Sequence, residues 1–149
     1  MARWLAAAAV CWPVVLGAAW HDHRDHQPGV ASVITYVVAS RVCHQRPERS
    51  FTTGGQQWPV CARCSGLYLA APAGVWLALG LSRRRASGFS LLVPMAAALP
   101  TAVSMLVEWA APSSVSSMAR CLAALPLGAW VAFAIVRVAA EGWRDDQVN

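Results

Sequence analysis

At 149 residues the chain has the length of a single domain, yet 57% of it is hydrophobic and only 13% charged, a balance too apolar for an ordinary soluble domain. Its net charge of +5 comes from arginine, with no lysine anywhere, beside abundant alanine, the composition of a GC-rich genome. Nucleic-acid binding is excluded as the meaning of that charge: basic residues are not interleaved with exposed aromatics, and the one dense run, Arg83, Arg84 and Arg85, separates two apolar stretches.

A helix needs about 20 apolar residues to cross the hydrocarbon, and four stretches approach that length: 4–20, 60–81, 89–111 and 118–138. They predict an all-α, polytopic membrane protein, a four-helix transmembrane bundle forming one integral membrane domain over residues 1–149. The first stretch also meets part of the pattern of a signal peptide, with Arg3, an apolar core and the small residues Gly17, Ala18 and Ala19. Cleavage there would leave three spans without moving anything downstream to the other side. Cys11 within it reads as a small buried hydrophobe. His21, Asp22, His23, Arg24, Asp25 and His26 follow as a polar loop; its imidazoles and carboxylates suit copper, zinc or nickel, but a loop between apolar segments must be polar in any case.

Residues 30–42 form an apolar segment about half the length of a span, which predicts an interfacial or re-entrant helix. It leads into a motif loop over 43–64 that contains Cys43, His44, Cys61 and Cys64, with Gly54 and Gly55 turning the chain. On a helix beginning near Pro59, Cys61 and Cys64 share a face with Tyr68. The helix dipole and Arg63 favour their thiolates. Cys43, His44, Cys61 and Cys64 are therefore a candidate transition-metal set, for zinc first and copper second. Neighbouring side chains diverge, so water, His21, His23 or His26 is the alternative to His44 in the fourth position.

Two readings need no metal. In one, Cys61 and Cys64 cycle between dithiol and disulfide, Cys43 resolves, and a quinone binds among helices kinked by Pro13, Pro72, Pro94, Pro100 and Pro126; Cys61, Cys64 and Glu108 are then the catalytic candidates. In the other, the cysteines form a structural disulfide in a partner-binding subunit. Arg46 and Arg49 flank Glu48 as in an ordinary loop salt bridge, or else meet an anionic headgroup or substrate. Ser50 reads as a turn residue, because no Asp-His partners accompany it.

Glu108 and Arg120 are ionisable groups inside apolar runs and need partners. Pairing them joins the third and fourth spans beside the motif, as a structural clamp or as a proton or substrate handle. Cys121 is a less convincing further sulfur. Arg3, Arg83 to 85, Arg137 and Arg144 place both termini in the cytoplasm by the positive-inside rule, leaving the Cys/His motif on the periplasmic or extracellular side of a bacterial inner membrane. Trp20, Trp58 and Trp109 then serve as outer anchors and Trp4 and Trp143 as inner ones. The expected partner is the lipid bilayer, with a membrane protein or a second copy of the chain as a further possibility.

The sequence over 36–128 resembles a family of small prokaryotic membrane proteins, the domain of unknown function numbered two-zero-eight-five. The resemblance rests on Cys43, His44, Gln45, Arg49, Ser50, Phe51, Cys61, Arg63, Cys64, Gly66 and Tyr68, then on Leu99-Pro100, Arg120 and Gly128. Many members carry an aspartate four residues after that proline, where this chain has Ser104; Glu108, one turn later, is the candidate substitute. The resemblance implies a helical membrane fold and no particular activity; Arg49, Arg63, Tyr68, Glu108 and Arg120 are the residues expected to support the cysteines.

Overall fold

The computed structural model describes residues 2–24, 29–81, 91–111 and 115–145, excepting the side chains of 2, 3, 5, 6 and 141–145. The expectations placed on Asp25, His26 and Arg83 to 85, and on the side chains of Arg3, Trp143 and Arg144, lie outside the described residues. Five helices occur among those described: α1 (Ala2–Arg24), α2 (Val30–Val42), α3 (Ala62–Gly80), α4 (Leu92–Ala110) and α5 (Ser117–Asp145). A two-stranded antiparallel sheet, β1 (Ser50–Thr53) and β2 (Gln56–Cys61), stands between α2 and α3. The chain is thus mostly helical rather than all-α. Among the described residues two helices, α4 and the α5 segment Ser117–Ala140, are long and apolar enough to cross a membrane.

Helix α1 continues through His21, Asp22, His23 and Arg24, which were expected in a loop. Basic side chains in a last turn are favoured by the helix dipole. Asp22 then accepts the Gly29 backbone N–H at 2.8 Å, and His23 stacks on Tyr36 with ring centroids 4.4 Å apart. These contacts fold α2 back on α1. The buried side of α2 holds Ser32, Thr35 and Ala39, while Val30, Val33, Ile34, Val37, Val38 and Val42 point outward.

The hairpin departs from the expectation of an irregular loop. Gly54 and Gly55 both have positive φ, 62° and 80°, and Thr53 pairs with Gln56. A two-residue turn with φ above zero at both positions matches the twist of the flanking strands and requires residues such as glycine. Pro59 consequently lies within β2, and α3 begins later than expected, with Cys61 as its N-cap.

Helices α3 and α5 run parallel and form the main interface, built on small residues. Ala62, Gly66, Ala70, Gly74 and Ala78 recur every four positions along α3, and all are buried. A Cβ at Gly66 would run into the Cys121 carbonyl, one at Gly74 into the Ala129 carbonyl, and one at Gly128 into the Leu67 carbonyl. Close backbone approach through a repeated small residue is how helices pack where lipid removes the hydrophobic drive. At the far end, buried Arg137 donates to the Leu81 carbonyl at 3.2 Å and closes the end of α3. By contrast α4 buries only Glu108 and leaves Leu92, Met95, Leu99, Met105, Leu106 and Trp109 exposed.

Replacing Gly74 by alanine is expected to destabilise the protein by about 3 kcal/mol through this backbone clash, whereas Gly80→Ala, with nothing within 4 Å, leaves it unchanged. Thermal unfolding of both variants in detergent checks the difference.

Candidate metal centre

The elements around the hairpin bring three sulfurs together. Cys43 is the first residue after α2, Cys61 ends β2, and Cys64 occupies the first turn of α3. Their Sγ atoms all lie within 4.8 Å of one another. Tetrahedral zinc with Zn–S bonds of about 2.3 Å needs sulfurs about 3.8 Å apart, so small side-chain torsions suffice to bring the three to coordination distance. Cys43 is buried and the other two partly so, and all three are free thiols.

The surroundings favour the thiolate of Cys61. The Cys61 backbone N–H donates to Cys43 Sγ at 3.1 Å. Cys61, in the strand ahead of α3, is pulled below the ordinary thiol range to about 5, chiefly by a hydrogen bond from the Cys64 thiol, with help from the Cys64 and Arg63 amides and the Cys43 thiol against the opposing effect of burial. Such a thiol is ionised at neutral pH.

Gln45 holds this arrangement in place. Its φ of 46° is unusual for a side-chain-bearing residue. Its Nε2 donates to the Tyr36 carbonyl at 3.0 Å and the Pro59 carbonyl at 2.6 Å, and its own carbonyl accepts Gln57 Nε2 at 2.6 Å. Three bonds thereby tie the end of α2 to β2, the two segments that present Cys43 and Cys61. Ser50 Oγ donates to the Arg46 carbonyl at 2.8 Å, closing the 3-10 turn Pro47–Arg49.

His44 is exposed and falls outside the group of ligand atoms that Cys43, Cys61 and Cys64 form. It does line the same cavity, a space of about 420 Å³ bounded also by Arg46, Arg49, Arg63 and Arg120. His23 Nδ1 is 3.3 Å from Ser32 Oγ. His21 is exposed at the end of α1, and Cys121 is buried against Gly66. Tyr68 meets Trp12 edge-on, with centroids 6.1 Å apart, in the apolar cluster beneath the sulfurs.

Behind the cavity lies the Glu108 carboxylate, 5% exposed, which three arginines surround. Arg49 Nε is 2.9 Å from Oε1, Arg63 Nη2 is 2.6 Å from Oε2, and Arg120 Nη2 is 3.5 Å from Oε1. Arg63 Nη2 also donates to Ser104 Oγ at 3.3 Å, so Ser104 and Glu108 serve one guanidinium from successive turns of α4. Arg120 donates to the Glu48 carbonyl at 3.3 Å. The convergence of Arg49 and Arg63 on Glu108 has no signature in the linear sequence, since the hairpin and the packing of both α3 and α4 against α5 create it. The small-residue stripe that positions Arg120 beside them was detectable as a spacing of four along α3.

Removing one member of a buried ionic cluster strands the others, at a cost of about 3 to 5 kcal/mol. Glu108→Ala is expected to destabilise by that amount. Arg49→Ala, whose side chain is 41% exposed, should cost about 1 kcal/mol or less. Detergent-phase unfolding of the two variants tests the contrast.

Two curated relatives align with parts of the chain: an uncharacterized protein of Methanothermobacter thermautotrophicus, 53% identical over 30 residues, and the uncharacterized protein MJ1492 of Methanocaldococcus jannaschii, 46% identical over 44 residues. These alignments cover 20% and 30% of this chain and 27% and 28% of the respective relatives, little more than a quarter of their length. No solved structure matches. Residues 43–134, from the first cysteine of the triad through most of the α5 interface, match a family as a whole, and the chain belongs to that family, described as Predicted membrane protein (DUF2085).

Proposed function

We propose that the protein is a four-span membrane protein whose three-cysteine centre binds a soft transition-metal ion and keeps one coordination position open to the cavity. The observation that carries this reading is the clustering of Cys43, Cys61 and Cys64 with His44 left outside it. Three protein ligands and an accessible fourth position are the pattern of sites that exchange or use a metal, whereas purely structural zinc sites have four protein ligands. Zinc is the first expectation and copper(I), which thiolates also favour, the second. Transfer or handling of the ion fits an open site better than a structural role does.

Spans α1, α3, α4 and α5, with α2 at the interface, form a single domain in this proposal. The exposed apolar side chains of α4 and α2 support it, because water-facing helices do not carry such surfaces without a partner. Lipid is the partner of that surface. Trp4 and Trp109, 81% and 86% exposed, lie toward opposite ends of their helices, as interfacial anchors do. With both termini cytoplasmic, the triad at the start of α3 faces the periplasmic or extracellular side.

A thiol–disulfide oxidoreductase is the second reading, favoured by the acidity of Cys61 beside the Cys64 thiol, since an attacking thiol must be ionised. Elemental analysis with thiol counting separates the two. Protein purified in mild detergent without added metal should carry about one transition-metal ion per chain, and Cys64→Ala should lose it. A metal-free wild type whose thiols oxidise and reduce readily would overturn the metal reading in favour of the oxidoreductase.

A further inference from the structure

The cavity beside the sulfurs is cationic beyond what its own acids balance. Arg49, Arg63 and Arg120 share one carboxylate, Glu108, so three guanidiniums against one acid leave two positive charges over. Arg46 adds a fourth guanidinium to the lining and faces Glu48 at 3.9 Å, with both side chains largely exposed. A divalent cation held by three thiolates would contribute one net negative charge and still leave a positive surplus. Buried charge without a counter-charge is costly.

The hydrogen-bonding capacity is also unspent. Nε of Arg63 and Nε of Arg120 are buried without an acceptor, and the Arg120 side chain is only 6% exposed. Glu108 does not line the cavity, whereas all four arginines do. The carboxylate thus sits behind the guanidiniums and fixes Arg49, Arg63 and Arg120 in place. Planar guanidiniums held in this way match the oxygens of a phosphate group, and about 420 Å³ exceeds the space that one phosphate needs.

We propose that this cavity binds a phosphate group, either free or as the headgroup of an anionic phospholipid, next to the three-cysteine centre. Both sources share the chemistry that Arg46, Arg49, Arg63 and Arg120 recognise. The site stands on charge and geometry and does not depend on a metal being bound.

The test is thermal unfolding of the purified protein in an uncharged detergent, with its metal content measured on the same sample so that this proposal and the metal reading fail separately. Inorganic phosphate and short-chain phosphatidylglycerol are titrated against chloride and phosphatidylcholine controls. Saturable stabilisation of about 5 °C is expected from at least one of the two phosphate probes. Stabilisation by inorganic phosphate assigns a soluble ligand, and stabilisation by phosphatidylglycerol alone assigns a headgroup. The double variant Arg46→Gln, Arg49→Gln changes the most exposed pair of the four and spares the buried Arg63 and Arg120; its affinity should fall about tenfold or more. No midpoint shift from either probe, or an equal response in the double variant, would overturn the proposal.

Discussion

One buried carboxylate governs the arrangement of the rest. Glu108 is the only side chain that α4 buries, and it meets a guanidinium from the 3-10 turn, one from α3 and one from α5. A lone ionised acid at that depth would be untenable, because desolvation outweighs what the folded state can spare. Its arginine partners supply the compensating charge and in doing so connect four parts of the chain. Arg63 lies between Cys61 and Cys64, so the ion cluster that registers α4 also constrains the first turn of α3. Arg49 does the same for the segment between Cys43 and the hairpin.

Small residues make that convergence possible. With Gly66, Gly74 and Gly128 at the contact, the backbones of α3 and α5 approach closely enough to bring Arg120 alongside Arg63. Larger residues would separate the helices and pull the guanidinium of Arg120 away from Glu108. The centre is therefore not a local loop motif. Its sulfurs come from the end of α2, the end of β2 and the start of α3, and its charged wall comes from the turn, α3 and α5. The tight helix pair and the Gln45 hydrogen bonds hold these separate pieces together.

The helices were legible from apolar run lengths, since hydropathy marks a long buried or lipid-facing helix more clearly than any other element. The limits of α1 were less so: His21 to Arg24 are polar yet helical, which composition cannot distinguish from a loop. Gly54 and Gly55 marked a turn, but Gln56, Gln57, Trp58 and Pro59 do not alternate in polarity, and Pro59 argues against a strand, so the hairpin was hidden. Glu108 and Arg120 stood out because ionisable groups are rare in apolar runs. Arg63 could be named from its place between Cys61 and Cys64, and Arg49 from its place in the loop beside Cys43, but their shared partner depends on tertiary packing. The divergence of His44 from Cys43 was legible as well, because the two are adjacent and the extended backbone at Cys43 directs successive side chains apart.

The central claim is that three sulfurs, and no fourth protein sulfur or pure nitrogen–oxygen set, hold a metal ion. X-ray absorption at the zinc edge, on detergent-purified protein loaded with one zinc per chain, tests it most directly. The account predicts about three sulfur neighbours at about 2.3 Å with one lighter atom completing the shell. A shell of nitrogen and oxygen alone, or one unchanged when Cys43, Cys61 and Cys64 are replaced, would contradict it.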